Sequence, residues 1–241
     1  MAKIKTEKKT PFVITKIAYY FSIRLAVFLS RYSITPNQIT YASFISALAA
    51  FACFTVGNIQ LNIAGMLLFS LSYLLDAVDG DLARVKKQTS QFGTLADAVL
   101  GKIGCVLLFM GICIGQSKHY PPGNIWFLGF LAISGYYVSQ SLIHKLTIVS
   151  MKSKMNSSKD LSSQKVDTKN AGNRVNIVRK FAREVFIGGD FILYVLIVAV
   201  LLDKMMFFLV FSAIYMWLDH MLQLYFNFKK FRFLNRAHVN G

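Results

Sequence analysis

The sequence predicts an all-α, polytopic membrane protein with six transmembrane helices preceded by an N-terminal interfacial amphipathic helix. Three observations carry that prediction. Of 241 residues 55% are hydrophobic and 16% charged, with a mean hydropathy of +0.48, well to the apolar side of soluble-domain usage. The apolar residues gather into runs of roughly 17–25, the length that crosses a bilayer as a helix. Three carboxylates in a fixed pattern, Asp76, Asp79 and Asp97, lie in or at the edge of those runs, and carboxylates at membrane depth are costly enough to require a metal, a water-filled cavity or a proton relay.

The elements follow in chain order. Phe12–Tyr32 carries Lys16, Arg24 and Arg31, which cut its apolar runs below spanning length, so it is expected to lie on the membrane surface. A secretory signal would also start basic and turn apolar, but Arg24 and the lack of a small-residue cleavage site argue against one. Mature numbering is therefore expected to start at or near Met1. The spans are placed at Ile39–Val56, Leu61–Val78, Gly93–Gly115, Ile125–Ile143, Phe186–Leu202 and Met205–Phe226. Gly111-x-x-x-Gly115 and the small residues Ser43, Ala47 and Ala50 permit close helix packing, in the core or at a dimer face. Asp219 and His220, adjacent in the last span, read as an interhelical polar contact.

One membrane domain accounts for this organisation: residues 1–38 as cytoplasmic N-terminus and interfacial helix, 39–228 as the six-span body and 229–241 as a basic cytoplasmic tail. Within the body, 144–185 is rich in Ser, Lys and Asn and reads as a mobile basic cytoplasmic loop.

The 27 Lys and Arg against 11 Asp and Glu, a net charge of +16, would suggest nucleic acid in a soluble chain. Here they sort by loop. If six spans alternate, Lys118 and Lys204 are the basic residues of one side and nearly all others fall on the opposite side. The positive-inside bias then places both termini and the carboxylate motif in the cytoplasm, and attraction to anionic lipid accounts for the charge without nucleic acid. Cys53, Cys105 and Cys113 lie inside spans at spacings that suit neither a zinc site nor a disulfide framework, so they read as apolar packers. His119, His144, His220 and His238 form no ligand cluster.

The motif runs Asp76-x-x-Asp79-Gly80-x-x-Ala83-Arg84, then after eight residues Gly93-x-x-x-Asp97-x-x-x-Gly101. Asp76 and Asp79, three apart, share a helix face at the cytoplasmic end of the second span. Gly80 allows a ligand close to the backbone. On the third span Gly93, Asp97 and Gly101 are spaced by four, so one face reads small, carboxylate, small. Packing the two faces together gathers three carboxylates around one point. Oxygen-only ligation of that kind suits Mg²⁺ or Mn²⁺, with phosphate oxygens completing the shell, so a metal-bound diphosphate is the natural guest. A proton pathway through the spans, or polar contacts without chemistry, is the competing reading, and the accompanying glycines and arginine count against it.

Asp76–Lys102 resembles the signature of the CDP-alcohol phosphotransferase family, and Thr35-Pro36-Asn37-Gln38-Ile39-Thr40 resembles that family's approach to its first span. The resemblance implies transfer of a phosphatidyl or other phospho-alcohol group from a CDP-alcohol, usually CDP-diacylglycerol, to an acceptor alcohol with release of CMP, in the phospholipid biosynthesis of a bacterial inner membrane. It implies Mg²⁺ or Mn²⁺ held by Asp76, Asp79 and Asp97, a CDP moiety lying against Gly80, Ala83 and Gly93 with Arg84 neutralising phosphate, a small polar or phosphorylated acceptor, and a homodimer. Gly101 departs from the pattern: the family carries there an Asp that is the candidate general base. Substitutes are Asp97, Glu184 or Asp190, or else a metal-bound water. The alternatives are an acceptor that arrives already ionised and a catalytically silent, base-less member that binds CDP-lipid or a partner.

Overall fold

The computed structural model describes residues 13–138, 141 and 190–239, with side-chain contacts given within 20–138 and 191–225. Among the described residues there are seven helices: α1 (Val13–Leu29), α2 (Pro36–Val56), α3 (Ile59–Lys86), α4 (Gln91–Gln116), α5 (122–138), α6 (Asp190–Leu201) and α7 (Met205–Val239). Pro36–Val56, Ile59–Lys86, Gln91–Gln116 and Met205–Leu222 are long and apolar enough to cross a bilayer, so this is an integral membrane protein. The other two expected spans fall on α5, described only as far as 138, and on α6, a 12-residue apolar helix. Glu184 and the expected loop at 144–185 lie outside the described residues.

Local chemistry sets the boundaries. Thr35 caps α2 in a capping box with Gln38, and Pro36 occupies the first turn, where its missing N–H costs nothing. Gly57 ends α2 at φ 79°, a left-handed conformation that favours glycine. Asn58 caps α3, Ser90 caps α4, and Lys87 closes α3 at φ 55°. Helix α3 therefore runs well past the Val78 expected from hydropathy, carrying the whole Asp76–Arg84 segment as helix. Hydropathy marks where the membrane ends; helix-forming residues carry the helix beyond it. For the same reason α7 continues to Val239 through residues expected as a separate tail.

Helices α2, α3 and α4 form the tightest part of the bundle. Serine hydroxyls join α2 to α3: Ser43 Oγ donates to the Ser72 carbonyl at 2.9 Å and Ser46 Oγ to the Leu68 carbonyl at 2.8 Å, bonds that supplement van der Waals packing where water is absent. The small-residue stripe is consumed inside the chain. A Cβ at Gly111 would lie 2.9 Å from the Phe51 carbonyl, and Gly115 abuts Gly57 and Phe54; these positions bring α4 onto α2. A second apolar cluster joins α4 to the later helices, with Phe109 stacked on Phe208 at 5.8 Å. Asp219 and His220 are buried on α7.

Helix α1 is not held only by an interface. Its Ser22 and Ala26, one turn apart and both fully buried, face α3, where Ala26 packs with Val78 and Leu82. Tyr20, Phe21, Val27 and Phe28 remain exposed.

Candidate functional site

The motif is assembled by α2, α3 and α4. Asp76, on α3, lies in hydrogen-bond contact with Asp97 of α4, and Asp79 is within electrostatic range of both. Like charges at that range repel unless a proton or cation sits between them. Asp79 is buried and accepts from Thr40 Oγ1 at 2.5 Å and from the Gly80 N–H. Thr40 lies in the second turn of α2, so the helix start capped by Thr35 supplies a polar contact inside the motif. Gly93 sits where a Cβ would be 2.9 Å from Ser90 Oγ and 3.1 Å from Asn37 Oδ1. Glycine at 93 thus lets the first turns of α4 and α2 approach each other.

Gly101 faces Asp76. A Cβ built there lies 3.6 Å from Asp76 Oδ1, an ordinary contact distance. Both residues line a cavity of about 190 Å³ that is bounded also by Thr40, Ser72, Tyr136 and the first turn of α6 at Ile192 and Leu193. Tyr136 shares a hydrogen bond with Cys105 across this space. Asp190 begins α6 two residues ahead of Ile192.

The three acids named by the sequence are therefore brought together. Their donor chemistry fits a hard divalent cation: carboxylate oxygens from two facing helices beside a cavity. As the side chains stand, with Asp79 engaged by Thr40, no three His, Cys, Asp or Glu groups among the described residues converge on a single point.

Arg84 has a partner that the sequence reading overlooked. Its guanidinium makes an ion pair with Asp81 Oδ1 at 2.6 Å. Asp81 is buried at 5% exposure, and its other oxygen accepts from Ser22 of α1. The i, i+3 spacing of Asp81 and Arg84 was the available signal; the contact with Ser22, 59 residues away, had none.

The fold and site together define an all-helical membrane bundle that pools carboxylates from two neighbouring spans beside a cavity. The family model described as CDP-alcohol phosphatidyltransferase matches residues 33–225, and the chain belongs to that family. An archaetidylinositol phosphate synthase of Pyrococcus horikoshii is 32% identical over 115 residues, 48% of this chain and 56% of that protein. The first relatives found are matched over 40–56% of their own length, so the chain spans about half the length of the curated proteins it resembles. Two crystal structures of Mycobacterium tuberculosis phosphatidylinositol phosphate synthase share the fold. One, with CDP-DAG bound, has a TM-score of 0.56 and 16% identity over 86% of this chain and 92% of that one. The other, in complex with manganese and citrate, has a TM-score of 0.56 and 16% identity over 85% and 87%.

Proposed function

We propose that the chain transfers a phosphatidyl or related phospho-alcohol group from a CDP-alcohol, CDP-diacylglycerol in the simplest case, to an acceptor alcohol, releasing CMP. The observation that carries this reading is the pooling of Asp76, Asp79 and Asp97 by α3 and α4 within a family-matched segment. The three acids hold Mg²⁺ or Mn²⁺, which when bound supplies positive charge against the diphosphate; a relative of the same fold was crystallised with manganese. Gly80 and Ala83 let the CDP moiety lie close to the backbone, Gly93 lets the starts of α2 and α4 close around it, and Arg84 neutralises phosphate charge. The acceptor hydroxyl oxygen attacks the phosphorus bearing the lipid alcohol, CMP departs with the electrons of the broken P–O bond, and the hydroxyl proton goes to a base.

Gly101 stands where the family signature calls for that base. The reading favoured here assigns the proton to Asp190, because α6 begins there and its first turn lines the cavity shared by Asp76 and Gly101; Asp97 and Glu184 are the other acids within the expected set. Gly101 also supports a second reading, a base-less member that binds CDP-lipid without turnover. The named relatives that make inositol phosphate lipids make inositol phosphates the first acceptors to test.

The body is placed at 39–228 with six spans, the interfacial helix and N-terminus at 1–38, and a basic tail from 229, both termini and the site facing the cytoplasm of a bacterial inner membrane by the positive-inside bias. A homodimer is expected from family likeness.

The deciding experiment measures Mn²⁺-dependent CMP release from CDP-diacylglycerol with a panel of polyols and polyol phosphates, using the unsubstituted chain, Asp190→Asn and Gly101→Asp. Turnover by the unsubstituted chain that Asp190→Asn abolishes supports Asp190 as base. Turnover only by Gly101→Asp selects the base-less reading, and silence from all three refutes the transferase.

A further inference from the structure

Asp76 of α3 lines the cavity and Asp79, one turn on, accepts from Thr40 of α2, but Asp81 is five residues beyond Asp76 and two beyond Asp79, which turns it to a different face. That face meets α1. Asp81 is buried at 5% exposure, one oxygen accepting from the Ser22 hydroxyl of α1 and the other from Arg84 at 2.6 Å. The Arg84 side chain is itself 62% exposed and sits in the last turn of α3, where a long side chain left alone would sample many rotamers. Its guanidinium lies over Gly80: a Cβ there would be 3.7 Å from one terminal nitrogen and 3.9 Å from the other. Arg84 is thus set by Asp81 on one side and accommodated by the bare backbone of Gly80 on the other.

We propose that Asp81 is a positioning residue for Arg84, and that the docking of α1 through Ser22 is part of what fixes the phosphate-neutralising guanidinium. The proposal rests on the nucleotide-binding reading above and deepens it. A guanidinium has five donors; the bond to Asp81 uses part of this fork and fixes its plane, leaving the rest for phosphate oxygens. The ordering entropy of Arg84 is then spent on folding and not on binding. The anchor is buried because a carboxylate that swung free in solvent could not hold a plane. Helix α1 completes it: with Ser22 withdrawn, one Asp81 oxygen loses its donor and the carboxylate gains a second orientation.

The test is a double-mutant cycle on Mn²⁺-dependent CDP affinity, with Asp81→Asn, Arg84→Ala and both together, accompanied by amide hydrogen exchange of α1. The expected result is a loss of roughly 2- to 10-fold for Asp81→Asn, a larger loss for Arg84→Ala, and no added loss in the double variant, because Asp81 acts through Arg84. Exchange in α1 is expected to quicken in Asp81→Asn and in Ser22→Ala. Additive losses, or full affinity in Asp81→Asn while Arg84→Ala loses it, overturn the proposal. If Asp81→Asn does not purify as a monodisperse species, Ser22→Ala decides: faster α1 exchange with a smaller loss of affinity supports the linkage, and unchanged exchange refutes it. No Mn²⁺-dependent CDP binding by the unsubstituted chain sinks the nucleotide-binding reading itself, and the positioning role with it.

Discussion

The two sides of the end of α3 handle charge in opposite ways. On one side Asp81 is buried, paired with Arg84 and hydrogen-bonded to Ser22. On the other, Asp76 and Asp97 lie against each other beside Asp79, and among the described residues none of the three has an ion-pair partner. A buried carboxylate whose cation the protein supplies serves the fold, whereas carboxylates pooled without a cation cost stability, a cost that the transferase reading assigns to ligand binding. The difference sorts four acids within 22 residues of sequence into two groups, although three of them stand on successive turns of α3 and the fourth on the facing α4.

The largest effect should come from the unpartnered side. Asp76→Asn or Asp97→Asn should lower Mn²⁺-dependent CMP release by roughly 100-fold or more, since each removes a charge that acts on the reacting group. Thermal stability in detergent should hold or rise, because a like-charge contact is relieved. A stability loss with activity retained would reverse the assignment. Asp81→Asn should show the opposite balance, with stability falling by about 1–3 kcal/mol from the lost charge-assisted bonds and nucleotide affinity falling only several-fold, as read by thermal unfolding and calorimetry.

Restoring an acid should sharpen the cavity side further. A Cβ at 101 is accommodated without backbone movement, since it meets Asp76 Oδ1 at 3.6 Å and faces the cavity. In the transferase reading the effect of Gly101→Asp on turnover is bounded by the roughly 10²–10⁴-fold that a general base contributes, and it should approach that range only if no other group serves as base. Smaller still, Thr40→Val should weaken Mn²⁺ affinity by several-fold in titrations, because the 2.5 Å bond that orients Asp79 is lost while the isosteric side chain keeps the α2–α3 contact.

The sequence made the bundle legible where one physical signal was enough. Apolar runs located the end of α2, the start of α3 and the end of α4 to within a few residues, because bilayer thickness sets the length. The C-terminal extensions of α3 to Lys86 and of α7 to Val239 have no such signal, since hydropathy is silent about helix outside the membrane. The carboxylates of the site were legible because helical spacing alone puts Asp76 and Asp79 on one face and Asp97 opposite. Asp81 was overlooked, although its spacing from Arg84 was readable, and Ser22 could not have been found: only the packing of α1 on α3, through Ala26, Val78 and Leu82, brings residues so distant in sequence together. The resemblance implies that Gly93 lies against a nucleotide, and the packing of Asn37 and Ser90 beside it is a second demand for glycine there that no sequence pattern carries.

Calorimetric titration of CDP into the purified chain, with and without Mn²⁺, tests the central claim most directly. The account predicts binding that requires Mn²⁺, disappears in Asp97→Asn and survives in Asp81→Asn with several-fold weaker affinity. Metal-independent binding, or binding indifferent to Asp97, would contradict it.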